Sequence, residues 1–232
     1  MSLIKTIGDY LISDNCGVVS ITGAGGKTST LKALGQYYRE KGLSVLLTTT
    51  TKIQSPKTFD YDADYAFTDE GDALLHEPEK GQSVFYAQRA LMDPKKLVSP
   101  RPDVLSLLIK RYDVTIIEAD GAKGLPLKYH SDRDPVIVDE TTAVLAIMGA
   151  SSYGDTVDNS CFGYESTAPV DMKFINYLIN DDQGALKGMR GRSLLFINQA
   201  DEKTLPLDEI ICPVPLIMGS LREDRIYGRK DI

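Results

Sequence analysis

The chain has little cysteine, and what it has is poorly placed for chemistry. Cys16, Cys161 and Cys212 are its only three, far apart and without C-x-x-C spacing, which excludes a disulfide framework. Free thiols of this kind fit a reducing cytoplasm, the expected location. Histidine is scarcer still. His76 and His130 are the only two, and neither has a nearby cysteine or second histidine, so a zinc site is not expected. Basic charge is in deficit: 26 Lys and Arg face 33 Asp and Glu, a net charge of −7. That balance excludes general binding to nucleic acid or to an acidic membrane surface, although a local basic cleft for a nucleotide is compatible with it. No apolar run approaches the roughly 20 residues needed to span a bilayer. The N-terminal stretch 2–13 reads as an amphipathic helix with Leu3, Ile4, Ile7, Tyr10 and Leu11 on one face, not as a signal peptide. Repeats, low-complexity tracts and linkers are also missing, so one domain over residues 1–232 is expected.

What the chain does have is VVSITGAGGKTSTL from Val18 to Leu31, an apolar run that breaks into glycines and then into a helical pattern. This is how a phosphate-binding loop reads. Gly23, Gly25 and Gly26 allow positive φ and close approach of backbone to a ligand. The amides of Gly23, Ala24, Gly25, Gly26, Lys27, Thr28 and Ser29, at the start of a helix, would cradle phosphates. Lys27 would reach the terminal phosphates and the Thr28 hydroxyl would ligate Mg²⁺. The strict pattern G-x-x-x-x-G-K-[ST] is not met, because Ile21 stands where it requires glycine. The compact loop resembles the Gly-x-x-Gly-Lys-Thr loop of Mur-type ligases more than that of Ras-like proteins. A dinucleotide fingerprint fits less well, since the third glycine is absent.

The rest of the sequence alternates strand and helix. Strands are predicted over Gly17–Thr22, Leu43–Thr49, Ser83–Gln88, Val114–Glu118, Ala143–Met148, Ser193–Asn198 and Pro215–Ser220. Helices are predicted over Thr28–Lys41, Asp69–His76, Pro102–Arg111 and Val170–Ile179, with a loop over Ser151–Tyr164 and a charged tail from Leu221. This spacing predicts an α/β fold, a P-loop NTPase-like three-layer sandwich with a mostly parallel central sheet. Ligands of such sheets bind at the carboxyl ends of the strands.

Those ends carry the chemistry. Glu118, Asp120 and Gly121 end the Val114–Glu118 strand, where a carboxylate opposite Thr28 would hold Mg²⁺ and orient a water. The spacing Glu118-x-x-Gly121 imitates the D-x-x-G segment of GTPases, whose glycine senses a γ-phosphate. Lys27, Glu118 and Asp120 are therefore the expected catalytic residues, with Thr28, Glu118 and Asp120 at the metal. Lys123 and Lys128 follow as candidate clamps for a phosphate or an anionic substrate, and His130 as a surface histidine or proton carrier. The run Thr48–Thr51 offers hydroxyls beside the loop, chiefly Thr49 and Thr50. Asn198-Gln199-Ala200-Asp201 resembles the N-K-x-D base-reading motif of GTPases, with Gln199 in place of lysine. Asn198 and Asp201 lean toward guanine and the compact loop toward adenine, so ATP and GTP both stay open.

Taken together, ITGAGGKTST, LLTTTTK, EADGAKGLPLK followed by DPVIV, NQAD and the late GSLR resemble the YqeC family across nearly the whole chain. The EADGA(K/R)xxPLK segment is the most specific part. The resemblance implies a cytoplasmic bacterial nucleotide-binding protein that serves as an accessory factor in maturing a selenium-dependent molybdenum hydroxylase. Its partner would be that enzyme or its cofactor. The family pattern often carries histidine after the threonine run, where this chain has Lys52, and a His-Arg segment where it has residues 161–165. The nucleotide residues are intact, so the departures bear on the second ligand. The expected function is Mg²⁺-dependent binding and hydrolysis of a purine nucleoside triphosphate. The alternatives are an ATP-dependent ligase or phosphotransferase, or a module that binds a nucleotide or molybdenum cofactor without cleaving it.

Overall fold

In a computed structural model that describes residues 2–12, 14, 16–90 and 96–231, the chain begins with α1 (Leu3–Leu11). Then follow β1 (Gly17–Gly23), α2 (Lys27–Glu40), β2 (Val45–Thr49), β3 (Ile53–Gln54), β4 (Tyr65–Phe67) and α3 (Glu70–Leu75). The middle of the chain forms β5 (Ser83–Tyr86), β6 (Gln88–Arg89), β7 (Lys96–Val98), α4 (Pro102–Ile109), β8 (Val114–Glu118), β9 (Leu127–Lys128) and β10 (Ala143–Gly149). It ends with α5 (Val157–Ser160), β11 (Cys161–Phe162), α6 (Met172–Asn180), β12 (Arg192–Asn198), β13 (Leu216–Ser220) and β14 (Arg225–Lys230).

Nine strands form one sheet in the order β14-β13-β12-β10-β1-β8-β2-β5-β4, parallel throughout except for β14. Central strands are buried along their whole length, which is why β1, β8 and β10 read as continuous apolar runs. Their alternate residues supply two cores. Val19 and Ile21 of β1, Leu145 and Ile147 of β10, and Phe196 of β12 pack with Leu3 and Ile7 of α1 and Leu31 and Leu34 of α2. On the other face, Ala146, Met148, Leu195 and Ile197 meet Ile175 and Leu178 of α6, while Val18 and Ile117 meet Leu105 and Ile109 of α4. Helices on both faces make the three-layer α/β sandwich expected from the alternation.

The two helices of the first face lie against each other closely. A Cβ on Gly8 of α1 would stand 2.5 Å from the Tyr37 ring of α2, and Tyr38 Oη donates to Gly8 O at 2.9 Å. Ile7, fully buried at this contact, would cost about 2–5 kcal/mol on truncation to alanine. This packing braces the helix that follows the glycine loop. No helix among the described residues is long and apolar enough to cross a membrane.

Three sequence expectations change. The charged tail is not loose: Arg225–Lys230 adds an antiparallel edge strand to β13, although Ile232 lies outside the described residues, as does Ser13 of the first helix. The expected loop 151–164 contains α5 and β11, and β11 pairs in parallel with β9, Cys161 opposite Leu127. The sixth helix starts at Met172, two residues later than predicted, because the Asp171 side chain caps it by accepting from Phe174 N at 2.8 Å.

Candidate functional site

The register of the sheet assembles the site. Ile21, two residues before the glycine loop, pairs with Glu118 in β8, and Thr49 in β2 pairs with Glu118 from the other side. The loop then turns through Gly23, Gly25 and Gly26, whose φ values are 89°, 81° and 128°. A side chain has no room there: a Cβ on Gly23 would meet Ile147 O at 2.2 Å, and one on Gly25 would meet Gly149 N at 2.5 Å. Gly26 caps α2 without a side-chain hydrogen bond, and no acidic residue occupies the first turn. Ala24 N donates to Ile147 O, but among the described residues the amides of Gly25 to Ser29 donate to no protein acceptor. A row of unmet donors at a helix start, reinforced by the helix dipole, is an anion cradle.

Behind the cradle sits Asp120, fully buried. Its Oδ2 accepts from Gly23 N at 2.8 Å and lies 2.7 Å from His130 Nε2. Lys128 Nζ is 3.5 Å from the same oxygen. Oδ1 is 3.0 Å from Lys27 Nζ yet receives no aligned hydrogen bond. Burial alone would raise the Asp120 pKa; Lys27, then the His130 hydrogen bond and Lys128, outweigh it and hold the carboxyl down at about 2. Lys27, whose Nζ also donates to Gly23 O, is thus folded back under the loop. Glu118 differs. It faces the cavity and accepts from Thr28 Oγ1 at 2.8 Å, and burial pushes its pKa up against the opposing pull of Lys27 and Thr28.

The groove has two ends. The phosphate end, a cavity of about 510 Å³, is lined by Gly25 to Ser29, Glu118, Gly121 and Lys123, together with Lys52 and Lys96. The adjoining end, about 410 Å³, is lined by Asn198, Asp201, Gln36 and Arg222, and shares Gly26, Ser29, Phe59 and Gln199 with the first. Asn198 joins the two ends: its Nδ2 donates to Gly25 O at 2.8 Å and its Oδ1 accepts from Leu221 N at 2.9 Å. Asp201 is met by the guanidinium of Arg222, itself an exposed side chain.

Most of the sequence-predicted residues therefore converge, but not all reach the groove. Thr49 and Thr50 do not line it: the Thr49 hydroxyl donates to Glu118 O at 2.8 Å and that of Thr50 to Val136 O at 2.6 Å. Asp120 acts from behind Lys27. Lys128 is buried, donating to Gly121 O at 2.7 Å and pairing with Asp134, so it braces the loop instead of clamping a ligand. His130 is not a surface residue: it is buried, with Nδ1 2.8 Å from Gly184 O. Its ring nitrogens both face acceptor oxygens. Sequence reading missed Lys96 and Phe59 at the groove, and neither carries a local signal.

The sequence profile of the YqeC protein family matches residues 19–165, a span that contains the glycine loop, the threonine run and Glu118 to Lys128. The chain belongs to the YqeC family. A relative from Escherichia coli (strain K12), the uncharacterized protein YqeC, is 29% identical over 235 aligned residues that cover 92% of this chain and 91% of the relative. The YqeC profile stops short of Asn198, Asp201 and Arg222, so these residues of the adjoining end lie outside the segment that it matches, whereas Gly26, Ser29, Gln36 and Phe59 lie within it.

The donor set can be tested for Mg²⁺ and a nucleotide. No cluster of three or more His, Cys, Asp or Glu stands ready for a metal among the described residues. Mg²⁺ does not need one, because it is usually held by one or two protein oxygens plus substrate phosphates. Thr28 Oγ1 and Glu118 are such a pair of hard oxygens, placed at the head of the unmet amides. The residues fit the group.

Proposed function

We propose that this chain binds a Mg²⁺-complexed purine nucleoside triphosphate and hydrolyses its terminal phosphate. The observation that carries the reading is the run of unmet amides from Gly25 to Ser29 at the start of α2, beside the Thr28–Glu118 pair. The amides would bind the phosphates, and Lys27 would leave Asp120 to neutralise charge that develops in phosphoryl transfer. Thr28 and Glu118 would hold Mg²⁺, which when bound draws charge from the phosphate oxygens. Glu118, the carboxylate that faces the cavity, is also the group placed to orient a water. Asp120 keeps the loop and Lys27 in position from beneath. Phe59, Asn198 and Asp201 line the end where base and ribose would lie.

We further place this NTPase in the maturation of a selenium-dependent molybdenum hydroxylase, with that enzyme or its cofactor as partner. Membership of the YqeC family supports that role. Phosphate release from Mg²⁺-ATP and Mg²⁺-GTP tests the activity. Turnover of one of them, lost in Lys27→Ala and in Glu118→Gln, is the expected result. Turnover that survives both substitutions would place the chemistry elsewhere.

A further inference from the structure

The mouth of the groove carries positive charge that a nucleotide on the glycine loop does not use. Lys52 leads into β3, and the antiparallel register of β3 and β7 sets Gln54 opposite Lys96. Both lysines line the phosphate end of the groove, with Lys123. A neighbouring cavity of about 280 Å³ shares Lys96 and adds Lys57 and Arg89, the latter on β6. All five side chains are exposed. Among the described residues none of them forms a salt bridge. Arg89 Nε donates to Thr68 Oγ1 at 2.9 Å, and Lys123 Nζ stands 5.1 Å from the centre of the Phe162 ring.

That grouping runs against the rest of the molecule. The chain is acidic, and cations elsewhere are commonly paired, as Lys32 is with Asp60 and Arg39 with Asp62. Among the described residues the strands of the small sheet and their flanks carry no acid, reading KIQSPKT from Lys52, QRA from Gln88 and KLV from Lys96; the acid that lines the cavity with Lys52 and Lys96 is Glu118. Gathered like charges repel one another, and they raise the local concentration of anions. The phosphates of a bound nucleotide already have the Gly25–Ser29 amides and Lys27. What is left over is a set of cations around a second cavity.

We propose that the β3-β7-β6 sheet forms a second anion subsite, which binds a phosphate-bearing small organic molecule alongside the nucleotide. The proposal rests on the nucleotide reading above and names the class of its co-substrate. Lys52, Lys96 and Lys123 meet the phosphate, and Lys57 and Arg89 extend the charge along the adjoining cavity. Leu97 and Ala90 give that cavity an apolar wall, and Ser55 and Thr68 give it hydroxyls. The lining therefore suits an organic phosphate better than a bare ion.

Inorganic phosphate is the probe, titrated by calorimetry into protein saturated with Mg²⁺ and the β,γ-imido analogue of ATP or GTP. Nucleotide binding is measured first, as a separate arm. The expected result is phosphate binding to the triphosphate-loaded protein, weakened about fivefold or more by Lys52→Gln and by Lys96→Gln, since each removes one charged donor. Affinity for the nucleoside diphosphate, measured on the same variants, is expected to fall much less. Phosphate that binds only the diphosphate-loaded protein would overturn the proposal, because the cations would then serve the nucleotide's own γ-phosphate. Phosphate binding that ignores both substitutions would overturn it too. Absence of nucleotide binding in the first arm would instead remove the nucleotide reading, and the co-substrate with it.

Discussion

At the phosphate end of the groove, Asp120 is buried and draws on Gly23 N, Lys27, Lys128 and His130 at once; at the other end, Asp201 is met by the exposed guanidinium of Arg222. Both are carboxylates beside a proposed ligand, yet they are built to different ends. Several partners and no solvent leave the first carboxylate one position, and through it the loop and Lys27. The second carboxylate is also nearly enclosed, but besides Ser220 it has one charged partner, the exposed Arg222, which is free to leave it. In the proposed reading the loop amides are in place before any ligand arrives, whereas Lys27 would have to leave Asp120 and Arg222 would have to leave Asp201. Preparation of this kind lowers the ordering cost of binding.

The largest effect should come from removing the carboxylate that organises the rigid end. Asp120→Asn leaves two lysines and a histidine buried around a neutral amide, and breaking a buried ion pair costs about 3–5 kcal/mol. Asp201→Asn, which loses an ion pair only to the exposed Arg222, should cost less, about 1 kcal/mol. Denaturant unfolding of the two variants compares them directly, and equal losses would erase the contrast. Next comes Gly25→Ala. At φ 81° and with Gly149 N 2.5 Å from the new Cβ, it should destabilise the fold by about 1–3 kcal/mol and remove nucleotide binding. Smaller is Glu118→Gln, which should spare the fold and lower Mg²⁺-dependent nucleotide affinity about tenfold or more, read by titration with and without the ion. The smallest concerns the base end. Arg222→Ala releases Asp201 and should raise affinity for GTP relative to ATP only about threefold, whereas Asp201→Asn should lower it. Equal changes for both nucleotides would mean that Asp201 does not read the base.

Much of the rigid end is legible in the sequence, because its signals are local. The apolar run Val18–Thr22, the glycines and Lys27-Thr28 follow one another, and Glu118 closes another apolar run. What it lacks is what burial does to polar residues. Lys128 and His130 look like surface groups in a loop, and only the approach of Asp120 and Gly184 takes them inside. The edge strand Arg225–Lys230 hid for a related reason: its residues alternate between exposed and half-buried, and the charges mask that alternation. The segment 151–164 folds into α5 and β11, of four and two residues, which are too short to show a period. Lys52 and Lys96 are brought together by the β3–β7 register across more than forty residues, and no local pattern announces it.

The central claim is that the unmet amides of Gly25 to Ser29 are a triphosphate cradle closed by Mg²⁺ on Thr28 and Glu118. Calorimetric titration of the purified chain with ATP and GTP, each with and without Mg²⁺, tests it most directly. The geometry predicts that one purine triphosphate binds at a single site with a strong Mg²⁺ dependence, and that Lys27→Ala abolishes the binding. Failure of both nucleotides to bind, or an affinity that Lys27→Ala leaves unchanged, would contradict it.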